Sequence, residues 1–128
     1  MNGRERVRVG VVGCGMVAQA EHLQNLLQLA DRFEIAALAD PSRTVREAMA
    51  ARYGASSVHE DSRELLSAGG VDAVLVAAPA ATHAEIVIAA LDAGLHVFVE
   101  KPLCITLADA DRIIAARDRA GRSCRSGT

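Results

Sequence analysis

Short unbroken apolar runs alternate with longer amphipathic stretches along almost the whole chain. Val7 to Val12 predicts a buried strand, and Met16 to Leu29 a helix behind it. Glu34 to Ala39 is the next apolar run. Asp40-Pro41-Ser42 then opens a helix through Met49 to Tyr53, with Gly54 just past its end. Val58-His59 predicts a short third strand, and Asp61 with Glu64 a capping pair for a segment through Leu66. Asp72 to Ala78 predicts a central strand, because Val74-Leu75-Val76 has no polar break, and Pro79 ends it. Thr82 and Glu85 predict a capping box for a helix carrying Ile86, Val87, Ala90 and Leu91 and ending near Gly94. Val97-Phe98-Val99 is a fifth strand. Thr106 with Asp109 opens a last helix through Ile113, Ile114 and Ala116, closed by Gly121. Repeated strand–helix units need parallel strands joined by right-handed crossovers. The expectation is an α/β fold, a doubly wound parallel sheet with helices on both faces.

Composition narrows the possibilities. A chain of 128 residues fits one domain, and a chain of that size buries roughly two-thirds of its unfolded surface. Its apolar residues are mostly Ala, Val, Leu and Ile, with Phe33, Phe98 and Tyr53 as the aromatics, which suits thin strands between helices. A formal net charge of −2 lacks the basic excess of a phosphate-tracking surface, so no nucleic acid partner is expected. No apolar run approaches the ~20 residues of a membrane span, so no membrane partner is expected either. Cys14, Cys104 and Cys124 are odd in number and far apart, which fits free thiols in a reducing cytoplasm. Arg4, Arg6 and Arg8 ahead of the apolar run to Cys14 resemble an export signal, but the run is shorter than the usual ~7–15 residues and reads as a strand entering a glycine turn. His22 reads as structural, and His59 and His96 have no partners at metal-ligand spacing, so no metal is expected.

The chemistry begins at that turn. Gly13-Cys14-Gly15-Met16-Val17-Ala18 has the form G-x-G-x-x-A expected of a dinucleotide-binding turn. Gly13 permits the tight bend, Gly15 lets a pyrophosphate approach the backbone, and Ala18 lets the helix pack closely on the strand. Free N–H groups and the positive helix end then face the phosphates. Asp40 stands about 20 residues further on, at the end of the second strand, where a carboxylate accepts hydrogen bonds from the adenosine ribose. Its bland alternative is a helix N-cap ahead of Pro41, and the two roles are compatible. Asp40 should repel a 2′-phosphate, which favours NAD over NADP. Arg43, three residues later, is the group that could accommodate such a phosphate and keeps NADP open.

Two further segments fall at carboxyl ends of parallel strands, where open α/β sheets bind ligands. Pro79-Ala80-Ala81-Thr82-His83 follows the fourth strand, and Glu100-Lys101-Pro102 follows the fifth. Lys101 reads either as a solvated lysine or as a cation at the cofactor cleft able to orient a hydroxyl or relay a proton. The ordered set Gly13-x-Gly15-x-x-Ala18, His22, Asp40, Pro79-x-x-x-His83, Ala90-Leu91-x-Ala93-Gly94-x-His96-Val97 and Glu100-Lys101-Pro102-Leu103 resembles the Gfo/Idh/MocA family from about Val7 to Ala120. That resemblance implies a Rossmann fold and NAD(P)-dependent hydride transfer to or from a CH–OH group of a sugar, inositol or related polyol. It implies that Lys101 is catalytic, beside the nicotinamide and the reacting carbon, and that Glu100 contacts the nicotinamide-side ribose. It also implies cofactor contacts from Ala78, Pro79, Pro102 and His83, although His83, just past a cap, has simple solvent exposure as its alternative.

The family pattern continues into a second α/β domain that carries the substrate pocket, and these 128 residues do not include it. Residues 1–121 are therefore expected to form the NAD(P)-binding domain, and catalysis by them alone is not expected. Exposed apolar surface left by the missing sheet would favour a homo-oligomer. Where the family places a sixth apolar strand, Arg122-Ser123-Cys124-Arg125-Ser126-Gly127-Thr128 is polar, so residues 122–128 read as an atypical tail. A trimmed chain, a short paralogue or a change of reading frame would each produce it. The competing expectation for function is a catalytically silent dinucleotide-binding or redox-sensing module, which needs Gly13, Gly15 and Asp40 but not Lys101.

Overall fold

The computed structural model describes residues 6–13, 28, 31–99 and 106–126. Strands β1 (Val7–Val12), β2 (Phe33–Ala39), β3 (Ser57–His59), β4 (Ala73–Val76), β5 (His96–Val99) and β6 (Cys124–Ser126) form one sheet in the order β3-β2-β1-β4-β5-β6. Every neighbouring pair is parallel. Helices α1 (Arg43–Tyr53), α2 (Ser62–Ala68), α3 (His83–Asp92) and α4 (Leu107–Ala120) cross between strands. This is the doubly wound sheet that the alternating pattern predicts. The helix expected from Met16 to Leu29 lies outside the described residues apart from Gln28, which is helical.

Helices lie on both faces of the sheet, which is why its strands carry so few polar residues. On one face Val9, Val11, Ile35, Leu38 and Leu75 pack with Met49 and Tyr53 of α1. The other face buries Val12, Ala39, Val76, Val97 and Val99 beneath Leu65, Val87, Leu91, Ile113 and Ala116 from the remaining helices. The β1–β2 register shifts between Val9 and Gly10, so Ile35 and Ala37 are their partners and Ala36 is the extra residue. At Gly10 a Cβ would lie 2.9 Å from Leu65 Cδ2. The missing side chain there lets α2 settle close over the strand.

Local signals start the helices much as expected. Asp61 accepts the Glu64 N–H at 2.9 Å, and Thr106 Oγ1 accepts the Asp109 N–H at 3.1 Å. The return arm of the first pair reaches Glu60 instead of Asp61, with the Glu60 N–H on Glu64 Oε1 at 3.0 Å. Gly54 and Gly121 close α1 and α4.

Three expectations are corrected. The N-cap of α1 is Ser42, whose Oγ accepts the Val45 N–H at 3.2 Å, because Asp40 turns its own carboxylate onto the Ser42 N–H. Thr82 and Glu85 do not form a capping box. Residues Ala80–Thr82 form a 3-10 turn, and the Thr82 hydroxyl donates to the Pro79 carbonyl at 2.7 Å, so it points away from the helix it precedes. The polar tail pairs as β6, with Val97 opposite Cys124 and Val99 opposite Ser126. An edge strand has one neighbour and tolerates polar residues, and its approach is held by side chains. Arg122 Nε donates to the Gly94 carbonyl at 2.7 Å, and His96 Nδ1 accepts the Ser123 N–H at 3.2 Å.

At the amino ends of the strands Arg8 grips Asp72. The guanidinium reaches Asp72 Oδ1 at 3.0 Å and Oδ2 at 3.2 Å, and the Arg8 N–H reaches Oδ2 at 2.9 Å. This ties β1 to the start of β4 and holds the Asp72 carboxyl below its ordinary range.

Candidate functional site

The strand order places β1 beside β4 with their onward connections leaving in opposite directions, and open α/β sheets bind ligands in the crevice at such a point. Gly13 sits at its base. Its N–H donates to the Ala39 carbonyl at 2.7 Å, and the Ala77 N–H donates to the Val12 carbonyl at 2.8 Å, so the end of β1 is stitched to both neighbours. The backbone of Gly13 has φ +88°, and a Cβ there would stand 2.7 Å from the Ala78 nitrogen and 2.8 Å from the Ala77 carbonyl carbon. Two independent demands therefore fall on one position: a left-handed bend and contact of main chain with main chain.

Around this contact opens a cleft of about 1310 Å³. Small-molecule pockets usually span roughly 300–1,000 Å³, so the space suits an elongated ligand such as a dinucleotide. Val12 and Gly13 form its floor, Asp40 and Pro41 one rim, and Ala77, Ala78, Pro79 and Thr82 the opposite wall. Asp40 Oδ1 accepts the Ser42 N–H at 2.8 Å, a local turn that fixes the carboxylate at the strand end. Arg46, one turn into α1, donates to the Asp40 and Pro41 carbonyls at 3.1 and 3.3 Å and so braces the same loop.

Other expected residues fall elsewhere. Arg43 is exposed on α1 and pairs with Glu47 at 2.9 Å. His83 is not the exposed residue of its bland alternative. It is 1 % exposed, behind the cleft wall, with Nε2 2.6 Å from the Ala78 carbonyl oxygen. Gly15, Met16, Val17, Ala18, Glu100, Lys101, Pro102, Cys14, Cys104 and His22 lie outside the described residues. Among the described residues no group of three His, Cys, Asp or Glu could hold a metal ion, and no helix is long and apolar enough to cross a membrane.

Sequence reasoning missed the far side of the cleft. Glu60, Asp61, Ser62 and Arg63 line it after β3, and Leu66, Ile86 and Ala89 give it an apolar surface. Asp61 drew notice as a cap only. The available signal was its place at the carboxyl end of a strand, the same signal that singled out Asp40.

The chain belongs to the GFO_IDH_MocA family, described as the oxidoreductase family, NAD-binding Rossmann fold, whose model matches residues 7–128. It is 38% identical over 114 residues to a myo-inositol 2-dehydrogenase of Thermotoga maritima, covering 89% of this chain and 34% of that protein. Over 117 residues it is 40% identical to inositol 2-dehydrogenase 1 of Saccharopolyspora erythraea, covering 91% and 34%. Among solved structures it resembles the WlbA dehydrogenase from Bordetella pertussis in complex with NADH and UDP-GlcNAcA, at TM-score 0.89 and 30% identity over 96% of this chain and 37% of that one. The chain thus spans about a third of the length of these relatives. It is an NAD-binding Rossmann domain of the oxidoreductase type, as the glycine turn and Asp40 predicted.

Proposed function

We propose that this domain holds NAD(H) for an oxidoreductase acting on a CH–OH group of an inositol, sugar or related polyol. The observation that carries it is the packing of the Gly13 turn on the Ala77–Ala78 backbone, with the Asp40 carboxylate fixed on the neighbouring strand end across one cleft. Asp40 would take the adenosine ribose hydroxyls, and its charge favours NAD over NADP. Gly15, Met16 and Val17 would present N–H groups to the pyrophosphate, with Gly13 making the bend and Ala18 keeping the helix close to the strand. Ala78 and Pro79 would line the nicotinamide half.

Bound nicotinamide supplies the hydride acceptor or donor. Lys101, in the Glu100-Lys101-Pro102 segment after β5, is assigned to hold the substrate hydroxyl and take or return its proton, and Glu100 to hold the adjoining ribose. The names of the curated relatives support the polyol class, and hydride transfer belongs to the whole protein. The scattered cysteines support a reducing, cytoplasmic setting.

Calorimetric titration tests the proposal. NADH should bind the chain as it stands, and NADPH should bind at least about tenfold more weakly, a difference of roughly 1.4 kcal/mol. An absence of heat with either nucleotide would sink it.

A further inference from the structure

We infer that His83 is a positioning residue that sets the cofactor wall through the Ala78 carbonyl, touching no cofactor itself. The wall is a short segment with few handles. Pro79 has no N–H, so the loop after β4 has fewer places to be gripped, among them the Ala77 N–H and the carbonyls of Ala78 and Pro79. Each is held. The Ala77 N–H bonds Val12, and the Pro79 carbonyl accepts from both the backbone and the hydroxyl of Thr82. The Ala78 carbonyl meets His83 Nε2 at 2.6 Å.

A carbonyl oxygen only accepts, so Nε2 must carry a hydrogen, which fixes the proton on that nitrogen in the neutral ring. The histidine end of the bond is buried and the Ala78 end half-buried beside the cleft, where losing the donor is costly. Its position gives it consequence. Ala78 nitrogen and Cα are the atoms that meet Gly13, and Ala77, Ala78, Pro79 and Thr82 all line the cleft. A rotation of the Ala78–Pro79 peptide pivots on Ala78 Cα, so it would swing Pro79, the cleft lining that continues directly from the contact with Gly13. His83 opens α3, whose core residues Val87, Ala90 and Leu91 anchor it to the sheet, so the imidazole transmits the rigidity of the helix to the loop.

The inference rests on this chain being an NAD-binding domain, and the test separates the two. His83→Gln places an amide nitrogen near the Nε2 position, whereas His83→Asn stops short of it. Both are polar and buried alike. NADH titration should show the Gln variant within about twofold of the parent and the Asn variant about five- to tenfold weaker, the effect of one lost buried hydrogen bond. Val87→Ala, placed in the same helix away from the wall, should lower the melting temperature while leaving NADH affinity unchanged. Gln and Asn variants of equal affinity, or an affinity loss in Val87→Ala that tracks its lost stability, would overturn the positioning role alone. A parent chain that ignores NADH would overturn both the role and the function beneath it.

Discussion

The two ends of the sheet use the same residue type for opposite purposes. At the amino ends Asp72 is clasped by the Arg8 guanidinium and the Arg8 N–H, and the pair ties β1 to β4. At the carboxyl ends Asp40 is fixed by the Ser42 N–H and lines a cleft. The amino end satisfies its carboxylate with a cation of its own chain. The carboxyl end orients one beside a space large enough for a ligand. The contrast teaches that an aspartate at a strand end is informative only with its partner named.

Substitutions can break or sharpen this contrast. The largest effect is expected at the base of the cleft. Gly13→Ala places a side chain on a left-handed residue and against main chain, so urea unfolding should show a loss of roughly 2–4 kcal/mol, and NADH titration no binding. Asp40→Ala comes next and is the reverse in kind. NADH affinity should fall about tenfold, and preference over NADPH should vanish, while stability changes by less than about 1 kcal/mol. Equal NADH affinity with and without the carboxylate would remove Asp40 from the site.

Asp72→Asn should have the smallest effect and none on NADH affinity. The pair is half exposed, so solvent screening leaves it worth well under about 1 kcal/mol at neutral pH. Arg8 lowers the folded carboxyl below its ordinary value of 3.8, chiefly through the side-chain hydrogen bond. Its contribution is therefore full above 3.8 and is lost as pH falls through the lower folded value. Unfolding midpoints of parent and Asp72→Asn should converge only in that acid range. A gap that closes nearer neutral pH would contradict the pairing.

Much of this was legible in the sequence because it is local. A capping aspartate three residues before its N–H partner, a glycine closing a helix, or an apolar run without polar breaks can be read in a short window, and β1, β2, α2 and α4 followed. What failed depended on neighbours distant in the chain. Thr82 has the right spacing for a cap, yet the loop after Pro79 offers its hydroxyl a nearer acceptor. His83 follows the cap, which leaves solvent exposure as the alternative to a cofactor contact, and the fold closes the wall over it. Residues 124–126 lack a strand's apolar pattern and pair because β5 presents an open edge, with His96 and Gly94 receiving Ser123 and Arg122. The spacing of the glycine turn points to a dinucleotide, but the backbone of Ala77 and Ala78 as the partner of Gly13 is visible only in three dimensions.

The adjacency of β1 and β4 also sets a timetable for the growing chain. The Arg8–Asp72 clasp joins residues 64 apart, and β1 cannot acquire its second neighbour until β4 has left the ribosome. At ~5–20 residues per second this leaves the inner edge of β1 unpaired for roughly 3–13 s. During that interval Val9, Val11 and Val12 form an open template for any extended segment nearby. One of the two central strands is thus in need of shelter during synthesis, and the cleft it supports can take shape only once that wait is over.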